Sequence, residues 1–125
     1  MNEIRKVLFQ QRIRNGIIEY FDGASSFEEI AKFGAFEWIN MWEDIVPEPF
    51  DVDFYSEPVF SRHELAAIEI FRSIWSDTSD ATPEDVFAAH KLSQSRHWKK
   101  FVGTAKSNFD LFMQRGKFSN EKVAF

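Results

Sequence analysis

Apolar residues recur at helical spacing along most of the 125-residue chain, and in one stretch they alternate instead. The spacing predicts a first helix over about Asn2 to Asp22. Ile4, Val7 and Leu8 form one patch, and Ile13, Ile17, Ile18 and Phe21 form another that is rotated around the axis. A stripe that drifts in this way belongs to a bent helix or to one with neighbours on two sides. Gly16 is the place where a bend costs least, and Gly23 is the expected stop. Arg14 and Asn15, polar within a buried half, are expected to hydrogen-bond inside the fold.

A second helix starts at "SSFEE", where Ser25 with Glu28, or Ser26 with Glu29, makes a capping box. Phe27, Ile30, Ala31, Gly34, Trp38, Met41, Trp42 and Ile45 follow as a core-facing stripe. Phe33, Phe36 and Ile39 fall on the other side, as a candidate interface patch. Alternatively, Gly34 divides the segment into two helices and turns those three side chains inward. A third helix opens at Ser61, with Glu64 closing its capping box, and carries a wide apolar arc of Ala67, Ile68, Ile70, Phe71, Ile74 and Trp75. "TPED" marks a fourth start, with Thr82 as cap and Pro83 as first helical residue, followed by Val86, Phe87, Ala89 and Leu92. The last helix, about Gln94 to Arg115, shows Trp98, Phe101, Val102, Ala105, Phe109, Phe112 and Met113 on one face. Gly116 ends it, with Phe118 folding back.

Alternation appears in "PEPFDVDFYSEP", residues 47–58. Pro47, Pro49 and Pro58 exclude a continuing helix. In an extended strap Phe50, Val52 and Phe54 point inward, while Asp51, Asp53 and Tyr55 point outward. The fold expected is all-α: a single domain over 1–125, a bundle of four to five helices with one extended proline-rich crossover at about 46–60. Residues 118–125 are expected to fray.

Composition adds two facts. Fifteen phenylalanines and four tryptophans supply a ring-built core or a ring-rich interface, and the absence of cysteine removes disulfide and thiolate chemistry. A chain of this length buries roughly two-thirds of its extended surface, enough for a core without a staple. Charge is divided by position. Residues 1–18 carry four basic groups and one acid, residues 19–85 three and seventeen, and residues 86–125 eight and two. The net charge of −5 therefore hides an acidic middle between basic ends. Either those ends neutralise the middle within the fold, or the middle faces a basic partner.

Candidate chemistry is sparse. His63, His90 and His97 lack zincin spacing, and Asp51 with Asp53 fails the calcium-loop pattern at Tyr55 and Ser56. No nucleophile elbow or glycine-rich phosphate loop is present. No catalytic residue, metal or cofactor is expected. "RHWKKFVGTAK" interleaves basic and aromatic residues, but Trp98 and Phe101 already have core positions, so nucleic acid is disfavoured. No apolar run has signal-peptide or membrane-spanning length, so no membrane is expected and the setting read is cytoplasmic.

"RIRNGIIEYFDGASSFEEI", with Ile13, Arg14, Asn15, Ile17, Ile18 and Glu19, resembles the N-terminal stretch of a group of small bacterial helical proteins without an established function. They share an I-R-N-x-I-I-E run, and "MQRGKFS" is also similar to that group. The resemblance implies a bacterial, cytosolic protein and brings no active site.

The leading expectation is a non-catalytic interaction module, immunity- or antitoxin-like. It presents an acidic, aromatic surface of Glu48, Asp51, Asp53, Tyr55 and Glu57 to a basic protein partner. The alternative is a ligand-binding or enzymatic bundle with a pocket lined by Trp38, Trp42, Trp75 and Trp98. The third reading is a homo-dimer or larger homo-oligomer through Phe33, Phe36 and Ile39.

Overall fold

The structure is a computed structural model that describes residues 2–82 and 89–125. The first helix, α1 (Glu3–Ala24), begins where the Asn2 side chain accepts the N–H of Arg5 at 2.9 Å. It runs through Gly23 rather than stopping there. Gly23 is required for a different reason: a Cβ at this position would overlap the indole of Trp38. The glycine thus permits close packing of α1 on the next layer. Ser25 ends the helix, its hydroxyl donating to the Asp22 carbonyl at 2.6 Å.

Gly34 does divide the next segment. With φ at +99°, a conformation that disfavours side chains, it separates α2 (Phe27–Phe33) from α3 (Ala35–Ile45). Ser26 is the cap that forms, its hydroxyl accepting from Glu29 N–H at 3.3 Å. The re-aiming is partial. Ile39 is buried, whereas Phe33 stays 62% and Phe36 40% exposed.

The capping box of Ser61 and Glu64 starts α4 (Arg62–Asp80) as expected. Ile70, placed on the apolar arc, is exposed, while Phe71 is fully buried. The expected "TPED" start at Pro83, with Val86 and Phe87, lies outside the described residues. Thr82 accepts the indole N–H of Trp98 at 2.9 Å and donates to the Thr78 carbonyl at 2.5 Å. Within the described residues, α5 (Ala89–Leu92) precedes α6 (Arg96–Met113), which is capped by Ser95. Gly116 adopts the expected left-handed stop (φ +74°), its N–H reaching the Phe112 carbonyl at 3.1 Å.

Among the described residues there is no strand, and the architecture is an all-α bundle. α6 packs along both α1 and α4, and α2 and α3 close the remaining side. The core between them is a ring cluster. Phe71 lies 5.0 Å from Phe21, 4.8 Å from Trp42 and 5.0 Å from Phe101, centroid to centroid. Among the described residues, the Trp42 indole N–H is the buried side-chain donor left without a partner. Such an orphan costs about 1–3 kcal/mol, which the surrounding ring contacts offset.

Residues 118–125 do not fray. Gln11 donates to the carbonyls of Ser119 and Lys122, both at 2.9 Å, and accepts from Ala124 N–H at 2.8 Å. Asn15 donates to the Phe118 carbonyl at 2.8 Å and accepts from its N–H at 3.0 Å. Backbone groups of the tail thus find partners on buried amides of α1, as their satisfaction requires.

Two glycines of α1 give opposite expectations. A Cβ added at Gly16 would meet nothing within 4 Å, so Gly16→Ala should raise stability by about 0.5–1 kcal/mol through helix propensity. Gly23→Ala meets Trp38 and should lower it by about 1–3 kcal/mol. Denaturant titrations of both variants check this, and a stabilising Gly23→Ala would show that Trp38 yields freely.

Candidate functional site: an apolar groove with two free carboxylates

The crossover is not an extended strap. With no neighbouring strand, its backbone groups are satisfied locally by turns. Asp51 organises them. Its carboxylate accepts the N–H groups of Asp53 at 3.0 Å and Phe54 at 3.3 Å, and its carbonyl accepts from Phe54 at 3.1 Å. A second turn joins Ser56 to Phe60, and the Glu48–Pro49 and Glu57–Pro58 peptides are cis.

The turns overturn the expected alternation. Tyr55 is buried, stacked on Phe50 at 4.8 Å and edge-on to Phe60 at 5.2 Å, whereas Val52 is exposed. Asp51, Asp53, Glu48 and Glu57 remain on the surface. Burial, followed by the charge of Asp51, pushes the Tyr55 phenol up to about 12 even with Arg72 opposing. Tyr55 is therefore neutral at any physiological pH and cannot belong to an outward acidic edge.

Gln10 of α1 fixes this folded segment by donating to the Phe54 carbonyl and, at 3.3 Å, to the Ser56 hydroxyl. A groove of about 280 Å³ is left between them. Phe9 and Ile13 of α1, Ile45 of α3, and Pro47, Pro49, Phe54 and Tyr55 of the turn segment line it. Asp44 and Asp51 stand among these apolar groups. Phe9 is 46% exposed and meets Phe54 edge-on at 5.5 Å. Neither Asp44 nor Asp51 forms an ion pair among the described residues.

Other acids of the middle region are answered from within. Glu48 takes a two-pronged contact from Arg72 at 2.6 and 2.7 Å, and Arg72 lies 4.3 Å above the Phe50 ring. Glu57 is loosely paired with Arg62 at 3.8 Å. Glu64 is buried and held by Arg14 at 2.9 Å and Arg115 at 2.7 Å. Burial alone would raise the Glu64 carboxyl, but hydrogen bonds from both guanidinium groups and the Ser61 N–H outweigh it and lower it below its ordinary value. Of these acids Glu64 is answered by the basic ends, and Glu48 and Glu57 by arginines of the middle itself, while Asp44, Asp51 and Asp53 are among the acids with no ion pair among the described residues.

Among the described residues, the four tryptophans do not line a common cavity. Trp42 and Trp98 are buried in ring contacts, Trp38 lies against Tyr20 at 5.1 Å, and Trp75 donates to the Ile39 carbonyl at 2.8 Å. Trp38 borders a shallow surface cavity with Phe33, Glu37 and Met41, and Trp75 borders a separate one beside Arg72. Ile39 is inside, so the interface patch reduces to Phe33 and Phe36. His63 is exposed, His97 is half-buried, and the His90 side chain lies outside the described residues. Among the described residues no three potential metal ligands come together. No described helix is long and apolar enough to cross a membrane.

Of Phe9, Ile13 and Asp44, the sequence pattern singles out Ile13 alone, and only as part of the apolar patch of the first helix. The first two are four residues apart on one helix face, which is the spacing that makes neighbours. Nothing local marks Asp44, because its importance comes from a turn folded beside it.

No family model, no curated protein and no solved structure matches the chain.

Proposed function

We propose that the protein is a non-catalytic interaction module of the immunity or antitoxin kind, which binds a basic protein partner in a bacterial cytoplasm. One observation carries the reading: the carboxylates of Asp44 and Asp51 stand beside an apolar groove without an ion-pair partner among the described residues, and Asp53 and Glu57 are exposed on the same turn segment. Unpaired surface acids next to exposed rings give a partner both electrostatic steering and apolar area to bury. At about 280 Å³ the groove lies at the lower edge of the small-molecule range and is large enough to receive a protruding side chain.

Copurification from the native host tests this. The wild-type chain should retain a stoichiometric basic protein that is lost from Asp51→Lys with Asp53→Lys. Because Asp51 also caps a turn, Asp53→Lys with Glu57→Lys serves as the second variant. A partner indifferent to both pairs, or no partner at all, overturns the reading.

A homo-dimer is the second reading, favoured by the exposure of Phe36 and of Phe33, which lines an apolar cavity with Trp38 and Met41. Light scattering on the wild type and on Phe33→Asp separates the two readings. A monomer at high concentration removes the dimer.

A further inference from the structure

The chain twice places a carboxylate beside an aromatic ring, and both times it fills the position with its own arginine. Arg72 lies 4.3 Å above Phe50 while gripping Glu48. Arg14 lies 4.2 Å from the Phe118 ring centre while gripping Glu64. The groove between α1 and the turn segment is lined by the same residue types, with Phe9 and Phe54 as rings and Asp44 and Asp51 as carboxylates, but no arginine of the chain pairs with either acid among the described residues.

We infer that an arginine side chain of the protein partner completes it. The guanidinium pairs with Asp44 and Asp51, and its flat face lies on one ring of the edge-on Phe9–Phe54 pair. This deepens the proposed function and rests on it. Three physical points select arginine over lysine. A planar guanidinium stacks on rings, it offers a fork of donors to carboxylates, and it is more weakly hydrated than an ammonium. An apolar-walled groove penalises the more strongly hydrated ion, so the third point weighs heavily here. Cation–ring contact adds to the pairing where water is partly excluded. Asp51 can serve while still capping its turn, because one oxygen accepts the two N–H groups and the other takes no hydrogen bond among the described residues.

The probe is N-acetyl-arginine amide, titrated into isotopically labelled protein at low salt and followed by two-dimensional NMR, with N-acetyl-lysine amide in parallel. Saturable shifts are expected at Phe9, Ile13, Asp44 and Phe54, at lower concentrations of the arginine probe than of the lysine probe. They should vanish in Asp44→Asn with Phe9→Ala, two exposed positions whose replacement should leave the circular dichroism unchanged. Equal response to the two probes, non-saturating shifts, or shifts centred elsewhere overturn the inference. A copurifying partner distinguishes this failure from that of the wider reading. If Asp53→Lys with Glu57→Lys releases the partner but Asp44→Asn with Phe9→Ala does not, the acidic surface stands and the arginine site falls. A partner insensitive to both pairs removes both.

Discussion

Glu64→Leu should destabilise the fold by about 3–5 kcal/mol, the cost of leaving a buried charge without its counter-ion. Arg14 is fully buried and donates to both Glu64 oxygens, at 3.1 and 2.9 Å. Its remaining hydrogen bonds are to the carbonyls of Gly116 at 2.5 Å and Phe112 at 3.1 Å, which satisfy donors but cancel no charge. Arg115 approaches the same carboxylate at 2.7 Å and also holds the Val59 carbonyl at 2.6 Å. One glutamate therefore joins α1, α4, the end of α6 and the turn segment. Arg14→Leu combined with Glu64→Leu should cost less than Glu64→Leu alone, because no unpaired buried charge remains. Urea denaturation followed by tryptophan fluorescence measures both. A double variant weaker than the single would mean that packing, not charge, dominates there.

The same carboxylate gives a pH dependence of definite sign. Its folded pKa lies below its unfolded one, so the folded state favours the ionised form. The associated stability is fully present above the ordinary glutamate range. It declines as pH falls through that range and is gone once pH is below the depressed folded value. Midpoints of denaturation measured downward from neutral pH should fall in the wild type. Glu64→Leu should show a shallower decline over the same interval, and parallel curves would remove Glu64 as the cause.

Phe71→Ala is the second large effect, about 3–5 kcal/mol. The ring is fully buried and touches rings from three other helices: Phe21 of α1, Trp42 of α3 and Phe101 of α6. Rings are rigid, so the neighbours can collapse only partly into the space left behind. Phe71→Leu should cost distinctly less, since it keeps most of the volume. Thermal unfolding of the pair checks the order. Equal losses would show that the cluster depends on ring-to-ring geometry more than on filled space.

The helices are legible in the sequence because they follow from local rules. Ser61 with Glu64, Gly34 and Gly116 each announce a start or stop through backbone chemistry that neighbours in sequence determine. The crossover departs from its pattern because alternation predicts a strand only where another strand is available to pair with it. Lacking one, Asp51 turns the backbone on itself and carries Tyr55 inside. The tail departs for a related reason. "SNEKVAF" has little apolar content to bury, yet Gln11 and Asn15 supply amide partners about a hundred positions away. Arg14 is recognisable as an internal hydrogen-bonder, but its partner Glu64 looks complete as a helix cap. A residue with one evident local role conceals a second, long-range one. The groove inherits this limit, since its walls come from α1, α3 and a segment whose turns the pattern does not predict.

The joining of α1 to the tail bears on how the protein is made. Gln11 and Asn15 are separated from their tail partners by 103 to 113 positions. Ribosomes add about 5–20 residues per second, so the amides of α1 wait about 5–20 seconds for those partners. During that interval they lack these partners and are open to water, to other parts of the chain or to a nearby protein. A chaperone or a premature partner would find α1 most accessible then, and translation speed becomes a variable in how much protein reaches the finished state.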